Sequence, residues 1–318
     1  MRICSLDIQK NIPLKDKNWF RTGGNAQYFC EPSTAAEFQE ALKFAQEKNL
    51  DVTLLGLGAN VLISDEGVEG LVIRPVMRSI EMLEEKEGYG FIKTGAGVTI
   101  HQLIEWLLSH SFIGLELFSA IPGTVGGSVY NNLHYFKDSF SDFIIEAEVI
   151  NKETGEIQTV DNDWFGFGYD QSTLHEHAYF LVSATFKFKK GDESDIADAR
   201  QRRAEITKIR VTRYPCSRTC GCFFKNCDVS DAKVEVDGKK MLSAGYYLDK
   251  LGYKGSLRVG GAMVSPQHAN MIITDDKATS TDIVELARLM HRGVKEEFVF
   301  DLQPECRLLG FKVNLSIK

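Results

Sequence analysis

Four cysteines fall close together, at Cys216, Cys220, Cys222 and Cys227. Thiols gathered in this way are candidates for metal or iron–sulfur ligation, for redox sensing, or for proton transfer. Their spacing, C-x3-C-x-C-x4-C, lacks the paired C-x2-C hooks of zinc ribbons and bacterial ferredoxins, so no metal is assigned and redox chemistry stays open. A second chemistry resides in glycine. Thr22-Gly23-Gly24-Asn25-Ala26, Gly56-Leu57-Gly58-Ala59-Asn60 and Ile121-Pro122-Gly123-Thr124-Val125-Gly126-Gly127-Ser128-Val129 place bare backbone where amides can approach a ligand. Exposed amides bind phosphate without lysine or arginine. The Gly56 cluster follows an expected strand, which invites a dinucleotide fingerprint. No third glycine arrives, however, and strand-like Val61-Leu62-Ile63 stands where a Rossmann helix would begin. Each loop alone reads as a turn; three together point to an extended ligand with phosphates.

The elements that position these residues can be read from periodicity. After Pro32, Thr34 and Glu37 predict a capping box, with Phe38, Ala41, Leu42 and Ala45 on one helix face. Thr99 and Gln102 predict a second box ahead of Ile100, Leu103, Ile104, Leu107 and Leu108. Val52–Leu55, Val61–Ile63 and Leu71–Ile73 read as short buried strands. Tyr179 to Phe188 alternates, putting Phe180, Val182, Ala184, Phe186 and Phe188 on the buried face of a half-buried strand. The charge-dense stretch from Gly191 to Arg210 predicts an exposed helix and a domain boundary. Beyond it, strands are expected near Leu257–Val259 and Met271–Ile273. A helix after Ser280 with Ile283, Leu286, Ala287, Met290 and Val294 on one face comes next, and a strand from Leu308 to Val313 closes the chain.

The 318 residues imply roughly two domains, here 1–205 and 206–318, in an α+β arrangement. A net charge of -7 removes any overall basic field for nucleic acid or an anionic membrane, and no apolar run is long enough to span a bilayer. Met1 to Lys15 carries no secretory apolar segment, and seven cysteines is an odd number, so reduced thiols and a cytoplasmic monomer are expected.

The series Arg21–Ala26, Gly56–Asp65, Ile121–Gly127, Gly221-Cys222-Phe223-Phe224-Lys225-Asn226, Gly252–Gly255, Val264–Asn270 and Leu302–Glu305 resembles the UDP-N-acetylenolpyruvoylglucosamine reductase (MurB) family across nearly the whole chain. The resemblance implies a two-lobed, non-Rossmann FAD-binding domain of the PCMH/VAO type followed by a smaller α+β substrate domain. It implies that NADPH reduces FAD and that the enolpyruvyl group of a UDP-linked amino sugar becomes a lactyl group, a step in peptidoglycan synthesis that serves cell-wall biogenesis, cell shape and cell division. FAD would be held by Gly56, Gly58, Ala59, Asn60, Pro122, Gly123, Thr124, Gly126 and Gly127.

By the same resemblance, Cys222 stands where the family's proton-donating serine is expected, and Glu305 matches a catalytic glutamate. A thiol, mostly protonated at neutral pH, can donate to a carbanion. Tyr169, Lys225, Asn226, Lys254, His268 and Asn270 would meet the substrate. Two departures stand out. Asp170 occupies the place of an arginine that the family sets against the substrate carboxylate or enolate, so Asp170 would have to be displaced, protonated, or replaced in that role by Arg213 or Arg218. Asn132-Leu133-His134 replaces a small Asn-Ala-Gly stretch, with His134 expected to face solvent. Two other readings remain: a flavin-binding relative without turnover, and a redox-sensing or metal-binding protein acting through the Cys216–Cys227 loop.

Overall fold

The computed structural model describes residues 6–311. Helix α1, Ala35–Glu47, buries Phe38, Ala41, Leu42 and Ala45 as its periodicity predicts. Its cap differs in part. Thr34 Oγ1 accepts from Glu37 N at 3.1 Å, but the closest partner of the Glu37 carboxylate is Ser33, whose N donates to it at 2.6 Å. The helix α2, Ile100–Ser109, has the complete Thr99–Gln102 box. Val52–Leu54 pairs in parallel with Val68–Ile73.

An antiparallel sheet carries the larger core, in the order Ile157–Asp161, Ile144–Asn151, Tyr179–Lys190, Tyr89–Gly95, Ile80–Lys86, with Phe112–Ile113 paired to the end of the third. The Tyr179–Lys190 strand departs from the half-buried expectation: Leu181, Ser183 and Thr185 are buried along with the predicted face. The strand is central in its sheet, and the second face is covered where Ser183 Oγ donates to Glu148 and Lys93 Nζ lies 2.8 Å from the same carboxylate. The short helix α3, Val125–Tyr130, packs on Tyr179–Lys190 and Tyr89–Gly95. Helix α4, Glu193–Arg213, buries only Ala199, as its charge density predicts.

Helix α5, Ala244–Lys250, and helix α6, Ser280–Phe298, build the second core with the antiparallel strands Arg258–Val259, Ala262–Val264 and Ile272–Thr274. α6 buries all five residues of its predicted stripe and opens with a Thr279–Asp282 capping box. Asp65 adds acceptors for the Ser280 and Thr281 amides at 2.8 and 2.9 Å. The last strand is Arg307–Leu309, parallel to Val61–Ile63; Val313, the expected end, lies outside the described residues, as does Cys4.

The two compact units are not consecutive segments. One comprises the chain up to Lys10, Tyr28–Leu57 and Gly70–Ile209, and the other Asn11–Gln27, Gly58–Glu69 and the chain from Arg210. Against the expected 1–205 and 206–318, two early stretches thus sort with the later unit. A physical reason is that Val61–Ile63 hydrogen-bonds to the strand Arg307–Leu309. Among the described residues, no helix is long and apolar enough to cross a membrane.

Candidate active site

The Gly221–Asn226 segment lies between two others. Cys222 bridges Met271 and Phe224 bridges Pro304. Phe223 N donates to Asn270 O at 2.8 Å, Phe223 O accepts from Glu305 N at 2.8 Å, and Lys225 N donates to Gln303 O at 2.8 Å. Phe223 and Phe224 bury their rings in the second core, which leaves Cys222 half-buried between a fixed neighbour and the Gly221 turn.

Asn270, expected to meet the substrate, is built into the Cys222 segment. Its Oδ1 accepts from Phe224 N at 3.0 Å and its Nδ2 donates to Phe224 O at 2.7 Å, and the residue is 1% exposed. Both ends of the amide bond the Cys222 segment, so Asn270 positions that segment. Two buried hydrogen bonds disappear in Asn270→Ala, leaving two buried backbone groups unsatisfied. The urea midpoint should fall by the equivalent of about 2–4 kcal/mol, with unchanged m. A change below about 0.5 kcal/mol would refute the clamp.

Glu305 is tied from both sides. Its amide donates to Phe223, its carbonyl accepts from Asn60 Nδ2 at 3.4 Å, and Arg307 N donates to Asn60 O at 3.0 Å. The glycine loop's own asparagine is therefore bound to the glutamate strand. Beside them, burial pushes the Cys220 thiol well above its ordinary range, and the Cys306 thiol, Glu305 and Cys222 push it further. Cys220 stays a protonated, structural thiol, unlike half-exposed Cys222. Cys216 is exposed, and among the described residues no three His, Cys, Asp or Glu side chains gather to hold a metal ion.

Farther along the same unit, burial lowers the His268 pKa, helped by the positive charges of Lys254 and Arg213. Nδ1 of His268 lies 3.3 Å from Asn270 N, whose hydrogen it accepts, so the neutral ring carries its proton on Nε2, a free edge for a polar ligand. A histidine lowered below its unfolded value of 6.5 contributes stability above that value and loses it as pH falls. The expected result is a urea midpoint that drops between about pH 7 and 5, and that drops less in His268→Gln. Identical profiles would refute it. Lys254 and Asn226 are exposed, and Asn226 Oδ1 accepts from Ala244 N at 3.3 Å at the start of α5. Arg218, an expected substitute for the missing arginine, is engaged elsewhere: Nη1 donates to Asp275 O at 3.1 Å and Nη2 to the Asp276 carboxylate.

The three glycine loops divide into different roles. Gly24 N donates to Ser64 O at 2.8 Å, and a Cβ there would stand 2.4 Å from Asp65 O, so packing requires the glycine here. In the Pro122–Gly127 loop the amides of Val125 and Gly126 donate to Val98 O and Ala96 O at 2.8 and 2.9 Å, and Gly127 N donates to Thr124 Oγ1 at 3.2 Å. These amides splice the loop to its neighbour and are not available to phosphate. The Gly56–Asn60 loop is the opposite case: none of its five backbone amides meets a hydrogen-bond acceptor among the described residues, and Asn60 Oδ1 is buried without a partner among them. A Cβ at Gly56 would stand 2.9 Å from Thr124 Oγ1, so these two loops approach closely. A run of uncommitted amide donors fits the diphosphate of a cofactor, and the orphaned Asn60 acceptor calls for a donor such as a hydroxyl of the same cofactor.

On the first unit, segments 130–134 and 168–172 are fastened together. Ser172 Oγ donates to Tyr130 O at 2.7 Å and Asn132 Nδ2 to Gly168 O at 3.1 Å. His134, expected in solvent, lies in the strand His134–Tyr135 with its ring 4.5 Å from that of Tyr169 and Nδ1 3.7 Å from Asp170 Oδ1. Sequence reasoning treated Asp170 and His134 as separate departures; their shared signal was that both lie in otherwise matching motifs.

Comparison with known proteins places these features in context. A family model described as an FAD binding domain matches residues 26–161, and one described as the UDP-N-acetylenolpyruvoylglucosamine reductase C-terminal domain matches residues 213–309. The UDP-N-acetylenolpyruvoylglucosamine reductase of Synechococcus sp. (strain JA-3-3Ab) is 32% identical over 305 residues, which cover 95% of this chain and 91% of that protein. The reductase of the same name from Lachnoclostridium phytofermentans is 32% identical over 307 residues, 96% of this chain and 93% of its own. Among solved structures, the UDP-N-acetylenolpyruvylglucosamine reductase (MurB) of Thermus caldophilus superposes with a TM-score of 0.76 at 28% identity, over 96% of this chain and 99% of that one.

Proposed function

The chain belongs to the UDP-N-acetylenolpyruvoylglucosamine reductase family, and on that premise we propose that it reduces UDP-N-acetylenolpyruvoylglucosamine to UDP-N-acetylmuramate, using FAD and NADPH, for peptidoglycan synthesis. The observation that carries this reading is the Cys222–Glu305 arrangement: a half-buried thiol on a segment whose next residue, Phe223, is hydrogen-bonded to the glutamate's own amide.

FAD fits the Gly56–Asn60 amides, with Thr124 alongside Gly56; Pro122, Gly123, Gly126 and Gly127 are small residues of the same neighbouring loop that would pack against it. Bound FAD supplies hydride chemistry, drawing on NADPH and delivering to the methylene carbon of the enolpyruvyl group. The remaining needs fall on side chains. The neighbouring carbon, made carbanionic and conjugated to a carboxylate, requires a proton and charge stabilisation. Cys222 donates its Sγ proton to that carbon, and the thiolate that remains recovers a proton from solvent. Glu305, its backbone fixed by Phe223 and Asn60, holds the developing acid in place. Lys254, Lys225, Asn226 and the Nε2 edge of His268 are polar groups for the nucleotide sugar, and Tyr169 is a further proposed substrate contact. The reaction is assigned to the cytoplasm and to a monomer.

The test is direct. Purified protein should be yellow, and NADPH consumption should require the enolpyruvyl substrate. Colour with no substrate-dependent oxidation under saturating FAD would leave a flavin-binding relative without turnover and defeat the proposal.

A further inference from the structure

Cys220, Cys222 and Cys306 are reduced thiols on two segments that meet at Phe223. Phe223 O accepts from Glu305 N at 2.8 Å and from Cys306 N at 3.3 Å, so Cys306 is tied to the segment that carries the other two. A side-chain hydrogen bond joins the Cys220 and Cys306 thiols, and Cys222 lies within electrostatic reach of the same Cys220 thiol. The three differ in access. Cys222 is half-buried, whereas Cys220 and Cys306 are 6% and 3% exposed. The whole cluster belongs to one compact unit, and the mechanism above uses only Cys222. A lone buried cysteine packs as a small apolar residue. Three thiols within reach of one another, graded from accessible to enclosed, add a property that alanine or serine would not: each can be oxidised onto the next.

We propose that these thiols form a relay that removes oxidation by hydrogen peroxide from Cys222 and leaves it as a Cys220–Cys306 disulfide. The consequence for turnover rests on the reading above, in which Cys222 is the proton donor; the relay chemistry does not. Peroxide meets the accessible thiol first. The Cys222 sulfur attacks one peroxide oxygen, the O–O bond breaks, and the other oxygen leaves as water with the thiol proton, so Cys222 becomes a sulfenic acid. The Cys220 sulfur then attacks the sulfenic sulfur, the S–O bond breaks, and the hydroxide leaves as water with the Cys220 proton. In the third step Cys306 attacks the Cys220 sulfur to which it is hydrogen-bonded; the Cys220–Cys222 bond breaks and the Cys306 proton passes to Cys222, a thiol once more. In sum, two thiols lose two electrons and two protons, and one peroxide becomes two waters. Access sets the order of events. Cys220 is enclosed, and burial with its neighbours pushes its pKa well up, so it is inert to peroxide until a sulfenic acid forms beside it. A Cys220–Cys222 bridge closes a ring across a single residue, and a strained bridge is the more readily attacked, which favours passage to Cys306.

The experiment treats the FAD-loaded full chain with hydrogen peroxide, alkylates the remaining thiols, and maps the tryptic peptides by mass spectrometry, with fragmentation to separate Cys220 from Cys222. The expected product is a Cys220–Cys306 cross-link with Cys222 alkylated as a thiol. In Cys306→Ala oxidation should stop at a Cys220–Cys222 bridge, and turnover should return only when dithiothreitol is added. In Cys220→Ala, Cys222 should pass to sulfinic acid about tenfold or more faster than in the unaltered chain, with turnover that dithiothreitol does not restore. Before peroxide, both variants should turn over within about twofold of the unaltered chain, since enclosed thiols are inert. Cys220→Ser, nearly the same shape, repeats the second comparison and guards against a folding artefact in the alanine variant. A bridge that stops at Cys222 in the unaltered chain, or sulfinic acid forming there as fast as in Cys220→Ala and Cys220→Ser, would overturn the relay by showing thiols that merely pack. Absence of substrate-dependent turnover before peroxide would instead defeat the functional reading, while the mapped cross-link would still uphold the relay.

Discussion

Cys222→Ala is expected to lower kcat for the enolpyruvyl substrate by about 10²- to 10⁴-fold, the range in which a positioned proton donor acts. The loss should appear in kcat and kcat/KM alike, because the proton is needed only as the carbanion forms and not when substrate binds. NADPH should still bleach the flavin absorbance at its normal rate under anaerobic conditions, since that half of the reaction protonates no carbon. Cys222→Ser should keep most of the activity: the oxygen sits on the same Cβ, and the segment is held by Phe223, Phe224 and Asn270. Cys220→Ala is the matching control, because burial and the Cys306 thiol keep Cys220 protonated and enclosed. Full activity in Cys222→Ala would remove the thiol from the mechanism.

Which of these features could be read in the chain depended on distance along it. The capping residues Thr99 and Gln102 lie three positions apart, and the apolar stripe of α6 repeats within single turns, so both were legible. The pairing of Val61–Ile63 with Arg307–Leu309 was not, because nothing local in either strand names its partner. Yet that pairing brings Asn60 to Glu305 and draws residues 58–69 into the later unit. The clamp made by Asn270 was not legible for a related reason. Its motif marked it as important, but only the fold shows that both ends of its amide go to Phe224. The glycine loops were alike in composition and differ in what their amides already bind, a distinction that exists only once the partners Ser64, Ala96 and Val98 are in place. His134 and Asp170 were each noticed, and their meeting depends on the clasp of segments 130–134 and 168–172.

Glu305→Gln is expected to cost about 10²-fold or more in kcat while leaving the fold intact. The substitution preserves shape and touches none of the three bonds that fix this stretch: Glu305 N to Phe223 O, Asn60 Nδ2 to Glu305 O and Arg307 N to Asn60 O are made by other atoms. What changes is the ability to ionise and to handle a proton beside Cys222, so circular dichroism and the urea midpoint should be nearly unaltered while turnover falls. The two residues should also fail to act independently. Glu305 and Cys222 both act electrostatically on Cys220, which places them in one small neighbourhood, and residues that serve one proton-transfer event lose their effects together. The double variant Cys222→Ala/Glu305→Gln should therefore be slower than the worse single variant by less than about tenfold, far short of the product of the two losses. Multiplicative losses would mean that Glu305 acts on a separate step, such as holding the substrate, and a raised KM in the single variant would then accompany them.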